Sequence, residues 1–261
     1  MNQQARLRSL DHVTDWVFDL DNTLYPARCN LFAQVDRRIA LFIADLLRLD
    51  VPAARELQKR YFREHGTTLR GLMTHHGVDP EAFLQFVHEI DVAVVPPSPA
   101  LDAALARLPG RKFIFTNGSV AHADRVMARL GVAHHFDAVF DIAAAGYLPK
   151  PDPASYRSLI QRFAIEPAAA AMIEDLPRNL RPAAALGMTT VLVLTGEEWA
   201  RTDDAGDHIH HVTDDLVGWL GEHAPAAKEA PGPLAGSGWG GVSDPRTQIP
   251  KNRRSARPSD G

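Results

Sequence analysis

The chain is poor in the features that would take it out of the ordinary globular class. It has a single cysteine, Cys29, in 261 residues, so no intrachain disulfide can form and a reducing cytoplasm is the expected compartment. A lone Cys beside a helix start reads as a small packing residue rather than a nucleophile. No run approaches the roughly 18 apolar residues that a membrane span requires. Residues 1–15 are polar and lack the apolar stretch of a secretory signal, so neither a membrane partner nor export is expected. Nor is there an excess of positive charge. The formal net charge is -4, which makes nucleic acid an unlikely partner. Internal repeats are absent as well. What is left is a chain long enough to bury a sizeable core, as one large domain or one domain carrying a smaller insert.

The apolar pattern divides the chain in three. Trp16-Val17-Phe18 is a short strand-type run that stops at Asp19-Leu20-Asp21-Asn22-Thr23-Leu24-Tyr25. Beyond Pro26 the period becomes helical: Leu31, Val35, Ile39, Phe42, Ile43 and Leu46 mark one face of a long helix. A second helix is expected from about Pro52 to Gly66, then a loop over Thr67–Leu72 leading into a short helix, and a further helix from Asp79-Pro80. Residues 26–95 therefore read as all-helical, and Pro96-Pro97-Ser98-Pro99 punctuates their end.

After that mark, helix and strand alternate. Helix 100–108 precedes Lys112-Phe113-Ile114-Phe115, which runs into Thr116-Asn117-Gly118-Ser119. Helix 120–130 precedes Ala138-Val139-Phe140; helix 154–163 precedes Ala170–Ile173 and the pair Glu174-Asp175; and a helix from Arg178 precedes Thr190–Leu194. Alternation of this length implies an α/β fold, a Rossmann-like parallel sheet with helices on both faces. Residues 1–25 and 96–222 would form that core, and 26–95 an all-helical cap inserted after its first strand. His208, His210 and His211 read as surface residues. From 223 onward Pro, Gly, Ala and Ser dominate and large apolar residues nearly vanish, the composition of a disordered tail. Its basic residues read as a solvated end.

In a parallel sheet the carboxyl ends of the strands share one edge, where such folds bind ligands. That edge would gather Asp19, Asp21, Thr116, Asn117, Gly118, Lys150, Glu174 and Asp175. Alone, each piece has a plain reading: a polar turn, a helix cap, a surface lysine, an acidic strand end. Together they carry up to four negative charges in one cleft. At about 4 Å and an effective dielectric near 20, each like-charged pair costs on the order of 4 kcal/mol. Such a cluster calls for cations. A hard divalent ion, Mg²⁺ by preference, suits oxygen ligands and bridges to phosphate, Lys150 adds a second positive charge, and Thr116 with the amides of Asn117 and Gly118 offers donors to an anion. This is an inventory for phosphoryl transfer.

The succession D-L-D-N-T-L-Y, F-T-N-G-S, L-P-K-P-D-P and I-E-D-L-P-R-N, in this order over residues 15–195, resembles the haloacid dehalogenase-like hydrolase superfamily. A helical insert directly after the first motif resembles its helical-cap subgroup. The opening D-L-D-N-T-L-Y-P, G-T-T-L-R-G-L in the insert and G-Y-L-P-K-P-D-P look like the pyrimidine 5′-nucleotidases. The resemblance implies Asp19 as the nucleophile on phosphorus, Asp21 as acid and then base, and Mg²⁺ held by Asp19, Asp175, Glu174 and the backbone carbonyl of Asp21. It further implies Thr116, Asn117 and Gly118 around the transferring phosphoryl group, with Lys150 neutralising it. Asn179 falls where a supporting polar residue belongs, or is an exposed helix residue. Thr67, Thr68 and Arg70 are candidates for substrate contact, or simply connect two helices. The expected substrate is a small phosphate monoester: a pyrimidine nucleoside 5′-monophosphate, or alternatively phosphoglycolate or a sugar phosphate. Dehalogenation of 2-halo acids and a non-catalytic binding role on the same fold are the rival readings.

Overall fold

The computed structural model describes residues 10–196 and 206–223. The expectation of a disordered tail falls on residues outside that range, apart from His223. Six parallel strands among the described residues form one sheet in the order β3-β2-β1-β4-β5-β6. They are β1 (Asp15–Phe18), β2 (Arg111–Phe115), β3 (Ala138–Phe140), β4 (Ala170–Glu174), β5 (Thr189–Val193) and β6 (His211–Thr213). All residues of β1, β4 and β5 are buried, as expected of parallel strands covered on both faces.

Strand parity assigns each side chain to a face. Trp16, Phe18, Ile114, Ile173, Val191 and Val193 pack with α5 (Pro99–Arg107), α6 (Val120–Leu130) and α9 (Leu216–His223). Their neighbours Val17, Phe113, Phe115, Met172 and Leu192 point the other way, onto α7 (Pro153–Phe163) and α8 (Pro177–Ala185). The sheet is thus sandwiched between two helix layers, a Rossmann-like α/β core.

Between β1 and α5 the chain makes α1 (Leu31–Leu47), α2 (Val51–His65), α3 (Thr68–His76) and α4 (Pro80–Val87), with no strand among them. Their inner faces build a separate apolar cluster around Val35, Ile43, Tyr61, Leu72, Phe83 and Leu84. Ile142 from the loop after β3 enters that cluster, with Tyr147 packed against it, so insert and core share a seam. Asp50 and Asp79 cap α2 and α4 through their carboxylates.

Two local expectations change. The loop assigned to Thr67–Leu72 is helical from Thr68, because the Thr67 hydroxyl accepts the Arg70 amide and caps α3. The histidines taken as surface residues are half-buried and hold a strand that the apolar pattern did not show. His210 Nδ1 accepts the Thr190 amide at 3.0 Å, His208 Nε2 lies 3.1 Å from the Pro177 carbonyl, and the His211 ring meets Trp219. β6 escapes detection because three residues of mixed polarity at a sheet edge carry no alternation.

Candidate active site

β1 has β2 on one side and β4 on the other, so the chain reverses its direction of strand addition beside β1. Open α/β sheets form their crevice at such a switch point. Asp19 continues β1, its amide bonded to the Ile173 carbonyl, and Glu174 ends β4 next to it. The loop after β3 delivers Lys150 to the same place, buried at 1% exposure.

Lys150 Nζ donates to Asp19 Oδ1 at 2.6 Å, to Glu174 Oε2 at 2.7 Å and to the Phe115 carbonyl at 2.8 Å. All three of its donors are used. Its loop is fastened by Asn117, whose Oδ1 accepts the Lys150 amide at 2.8 Å while its Nδ2 donates to the Lys150 carbonyl. Thr116 is buried, and its hydroxyl oxygen accepts the Gly118 amide at 2.9 Å. Asn179 is also buried rather than exposed. Its Nδ2 donates to Glu174 Oε1 at 3.1 Å, beside the Leu176 amide, so both oxygens of Glu174 are occupied.

The cluster is short of positive charge. Burial first, then Glu174, drive the Asp19 carboxyl up to about 7 against the pull of Lys150. Burial, Glu174 and Asp19 push Asp175 well above the carboxylate range. Lys150 gains proton affinity from Asp19 and Glu174 despite its burial. Oxygens of Asp19, Glu174 and Asp175 lie within 4.8 Å of one another, and Asp175 Oδ2 is buried with no hydrogen-bond partner. An orphaned carboxylate oxygen among hard oxygen donors fits a divalent cation such as Mg²⁺.

Asp21 is not one of the three carboxylates in that cluster. Strand geometry ends at Asp19. The next residues curl into a turn closed by the Leu24 amide on the Leu20 carbonyl, with Asn22 at φ 60°, and the turn aims Asp21. Its Oδ1 accepts the Tyr25 hydroxyl at 2.6 Å and His122 Nε2 at 2.8 Å. Burial would raise this carboxyl, but His122 and Tyr25 prevail and hold it at about 2. Neither partner was singled out in the sequence, although His122 sits in the first turn of the helix that follows Thr116-Asn117-Gly118-Ser119.

The insert meets the core just above Lys150. Gly66 ends α2 at φ +81°, and a Cβ there would lie 3.3 Å from Pro149 Cγ and 3.7 Å from the Lys150 carbonyl. Arg178 of α8 stacks over Phe62 at 4.2 Å and reaches the Gly66 carbonyl. Of the three insert candidates, Thr68 donates its hydroxyl to the Gln58 carbonyl inside the insert and Thr67 is the cap of α3, while Arg70 is half-buried on that helix. The hydroxyls of Thr67 and Thr68 bond within the insert, while Gly66 lies against Pro149 and Lys150 of the core.

Residues 17–187 match the haloacid dehalogenase-like hydrolase family, and the chain belongs to it. It is 28% identical over 195 residues to Phosphate metabolism protein 8 of Saccharomyces cerevisiae, a match that spans 68% of this chain and only 60% of the yeast protein. Over 235 residues it is 28% identical to the Phosphoglycolate phosphatase of Rhodospirillum rubrum, spanning 80% of this chain and 91% of that one. Among solved structures, a haloacid dehalogenase-like phosphatase from Thermococcus onnurineus superposes with a TM-score of 0.54 at 18% identity, over 81% of this chain and all of its own. The L-2-haloacid dehalogenase of Xanthobacter autotrophicus does so at 0.51 and 19%, over 80% and 97%. These likenesses show a shared fold, on which both names occur. No helix among the described residues is long and apolar enough to cross a membrane.

Proposed function

We propose that this chain is a Mg²⁺-dependent phosphate monoester hydrolase that works through an aspartyl-phosphate on Asp19. The observation that carries the reading is the buried Asp19–Lys150–Glu174 cluster with the orphaned oxygen of Asp175 beside it. Asp19, Asp175 and the backbone carbonyl of Asp21 would hold the ion, with Glu174 steadying the set through Lys150 and Asn179. When bound, the metal supplies the positive charge that lets a phosphate approach these carboxylates.

Lys150 orients Asp19 and opposes the burial that favours its protonated form, and in its ionised form a carboxylate oxygen attacks phosphorus in line while the bond to the ester oxygen breaks. Asp21 gives its proton to the departing oxygen. The arriving phosphoryl dianion raises the proton affinity of Asp21 above its low resting value, since like charge disfavours the ionised form. Asp21 then takes a proton from the water that attacks the phosphorus, releasing phosphate and restoring Asp19. The Thr116 hydroxyl, steadied by the Gly118 amide, and the amide of Asn117 hold the phosphoryl oxygens at the start of α6.

This reading is preferred to dehalogenation because a departing halide needs no proton, whereas Asp21, held on Oδ1 by Tyr25 and His122, is a second acid that can carry the proton an ester oxygen needs. We take the substrate to be a nucleoside 5′-monophosphate, pyrimidines preferred, on the strength of the opening and insert motifs. The named relative that this chain matches over 91% of its length supports phosphoglycolate as the second candidate. Phosphate release from a panel of nucleotides, phosphoglycolate and sugar phosphates, with Mg²⁺ and with EDTA, tests both levels. Silence on every ester with Mg²⁺ present refutes the hydrolase; activity on phosphoglycolate but not on nucleotides refutes only the substrate.

A further inference from the structure

Two buried histidines are left unused by this chemistry. His122 is fully inaccessible, and His88 is 8% exposed. Their rings stack face to face, with centroids 4.4 Å apart and planes 9° from parallel. His122 Nε2 faces Asp21 Oδ1; a carboxylate oxygen can only accept, so Nε2 carries the proton and donates. The other nitrogen, Nδ1, is buried with no partner. Leaving a buried polar atom unpaired is unfavourable, and a leucine would fill the space without that loss. What the imidazole adds is its N–H to Asp21.

That N–H lands on a particular oxygen. The Tyr25 hydroxyl donates to the same Oδ1, so two donors, one from the turn after β1 and one from α6, grip one edge of the carboxyl group. Rotation is blocked, and Oδ2 is the oxygen left to face a substrate.

His88 comes from the insert. It is the residue that ends α4, its amide bonded to the Leu84 carbonyl. Its Nδ1 lies 2.9 Å from the Ser119 hydroxyl, its carbonyl accepts the Arg125 guanidinium, and Ser119 also caps α6. The ring pair fits because Gly118 has no side chain: a Cβ there would be 3.3 Å from His122 Cδ2 and 3.6 Å from His88 Cε1.

We propose that His122 is a positioning residue that presents the free oxygen of Asp21 to the leaving group, and that His88 fixes His122, so the acid is aligned only while the end of α4 is seated on α6. This rests on the reading of Asp21 as the acid of a phosphatase. Aligning a proton donor matters where the leaving oxygen is strongly basic, as in an alkyl ester, and little where it departs unaided, as nitrophenolate does.

The test compares kcat/KM, which covers the steps through departure of the leaving group, for phosphoglycolate or a nucleoside monophosphate (whichever the wild type hydrolyses) and for para-nitrophenyl phosphate. His122→Leu is expected to lower the alkyl ester about 10- to 100-fold more than the aryl ester. His122→Gln, whose amide can donate to Asp21, should recover most of that difference. His88→Leu should show the same bias at about 3- to 10-fold, and it carries the test together with His122→Gln if His122→Leu does not fold. Equal loss on both esters in the His122 variants would make His122 merely structural and overturn the proposal. A His88→Leu enzyme with an unchanged ratio would overturn the coupling to α4. A wild type that cleaves neither ester refutes the phosphatase reading itself and the proposal with it, an outcome distinct from either.

Discussion

Lys150 Nζ stands 2.6 Å from Asp19 Oδ1, with both side chains less than a tenth exposed, although 131 residues separate them in the chain. The contact joins the loop after β3 to the end of β1, across the β2 strand between them. With Glu174 on the same ammonium, it sets the charge balance on which the chemistry and the stability of the core edge both depend.

Lys150→Met is expected to abolish turnover and to destabilise the fold. Removing one partner of a buried ion pair leaves uncompensated charge at a cost of about 3–5 kcal/mol. Thermal unfolding with and without the substitution measures it, and an unchanged midpoint would show that the buried ammonium does not support the edge.

Asp19→Asn should reduce phosphate release by at least about 10³-fold, because an amide cannot form the acyl-phosphate bond. Its circular dichroism should match the wild type, since Lys150 retains Glu174 and the Phe115 carbonyl as partners. A variant that keeps a tenth of normal activity would take the nucleophile assignment from Asp19.

The stability of the metal-free protein should fall as pH rises from about 4 to about 7. Asp19 has a folded-state pKa raised to about 7 from an unfolded value of 3.8, so its favourable contribution is complete below the unfolded value and is lost as pH passes through the folded one. Asp175 is shifted in the same direction. Asp21, held at about 2, acts oppositely, its contribution present above 3.8 and lost only in strong acid. Melting curves at pH 5 and pH 7.5 should show the decline; Mg²⁺ at pH 7.5 should reverse it, and Asp19→Asn should flatten it. A metal-free melting point that rises across this window would contradict the charge deficit.

Asn179→Ala is expected to cost about 1–3 kcal/mol, as befits a lost bond to a buried carboxylate. It should also raise the Mg²⁺ concentration for half-maximal activity, because Glu174 Oε1 then keeps only the Leu176 amide as a donor. Unaltered metal activation alongside reduced stability would confine Asn179 to packing.

Gly66→Ala probes the seam. Its φ of +81° disfavours any side chain, and the added Cβ meets Pro149 at 3.3 Å. A loss of about 1–2 kcal/mol, with a KM change larger than the kcat change, is the expected outcome; equal effects on both would mean that Gly66 does not bear on substrate entry.

Much of this architecture could be read from residue order. Buried parallel strands are short continuous apolar runs, so Trp16–Phe18, Phe113–Phe115 and Ala170–Ile173 announced themselves, as did the helical period of residues 31–47. The acids, the lysine and the Thr-Asn-Gly turn were legible for the same reason: each directly follows an apolar strand or lies in a loop at its carboxyl end, and parallel strands bring those ends to one edge. Contacts between side chains far apart in sequence were not legible. The direction of Asp21 depends on a turn, the burial of Asn179 on the seat of α8, and the role of His122 on a helix packing beside a residue 101 positions earlier. β6 and its histidines follow the same rule, since an edge strand takes its identity from the neighbour it pairs with. Local periodicity determined which residues could share an edge. Only the tertiary fold decided which oxygen meets which nitrogen, because that is a matter of ångströms between elements, and no local pattern encodes it.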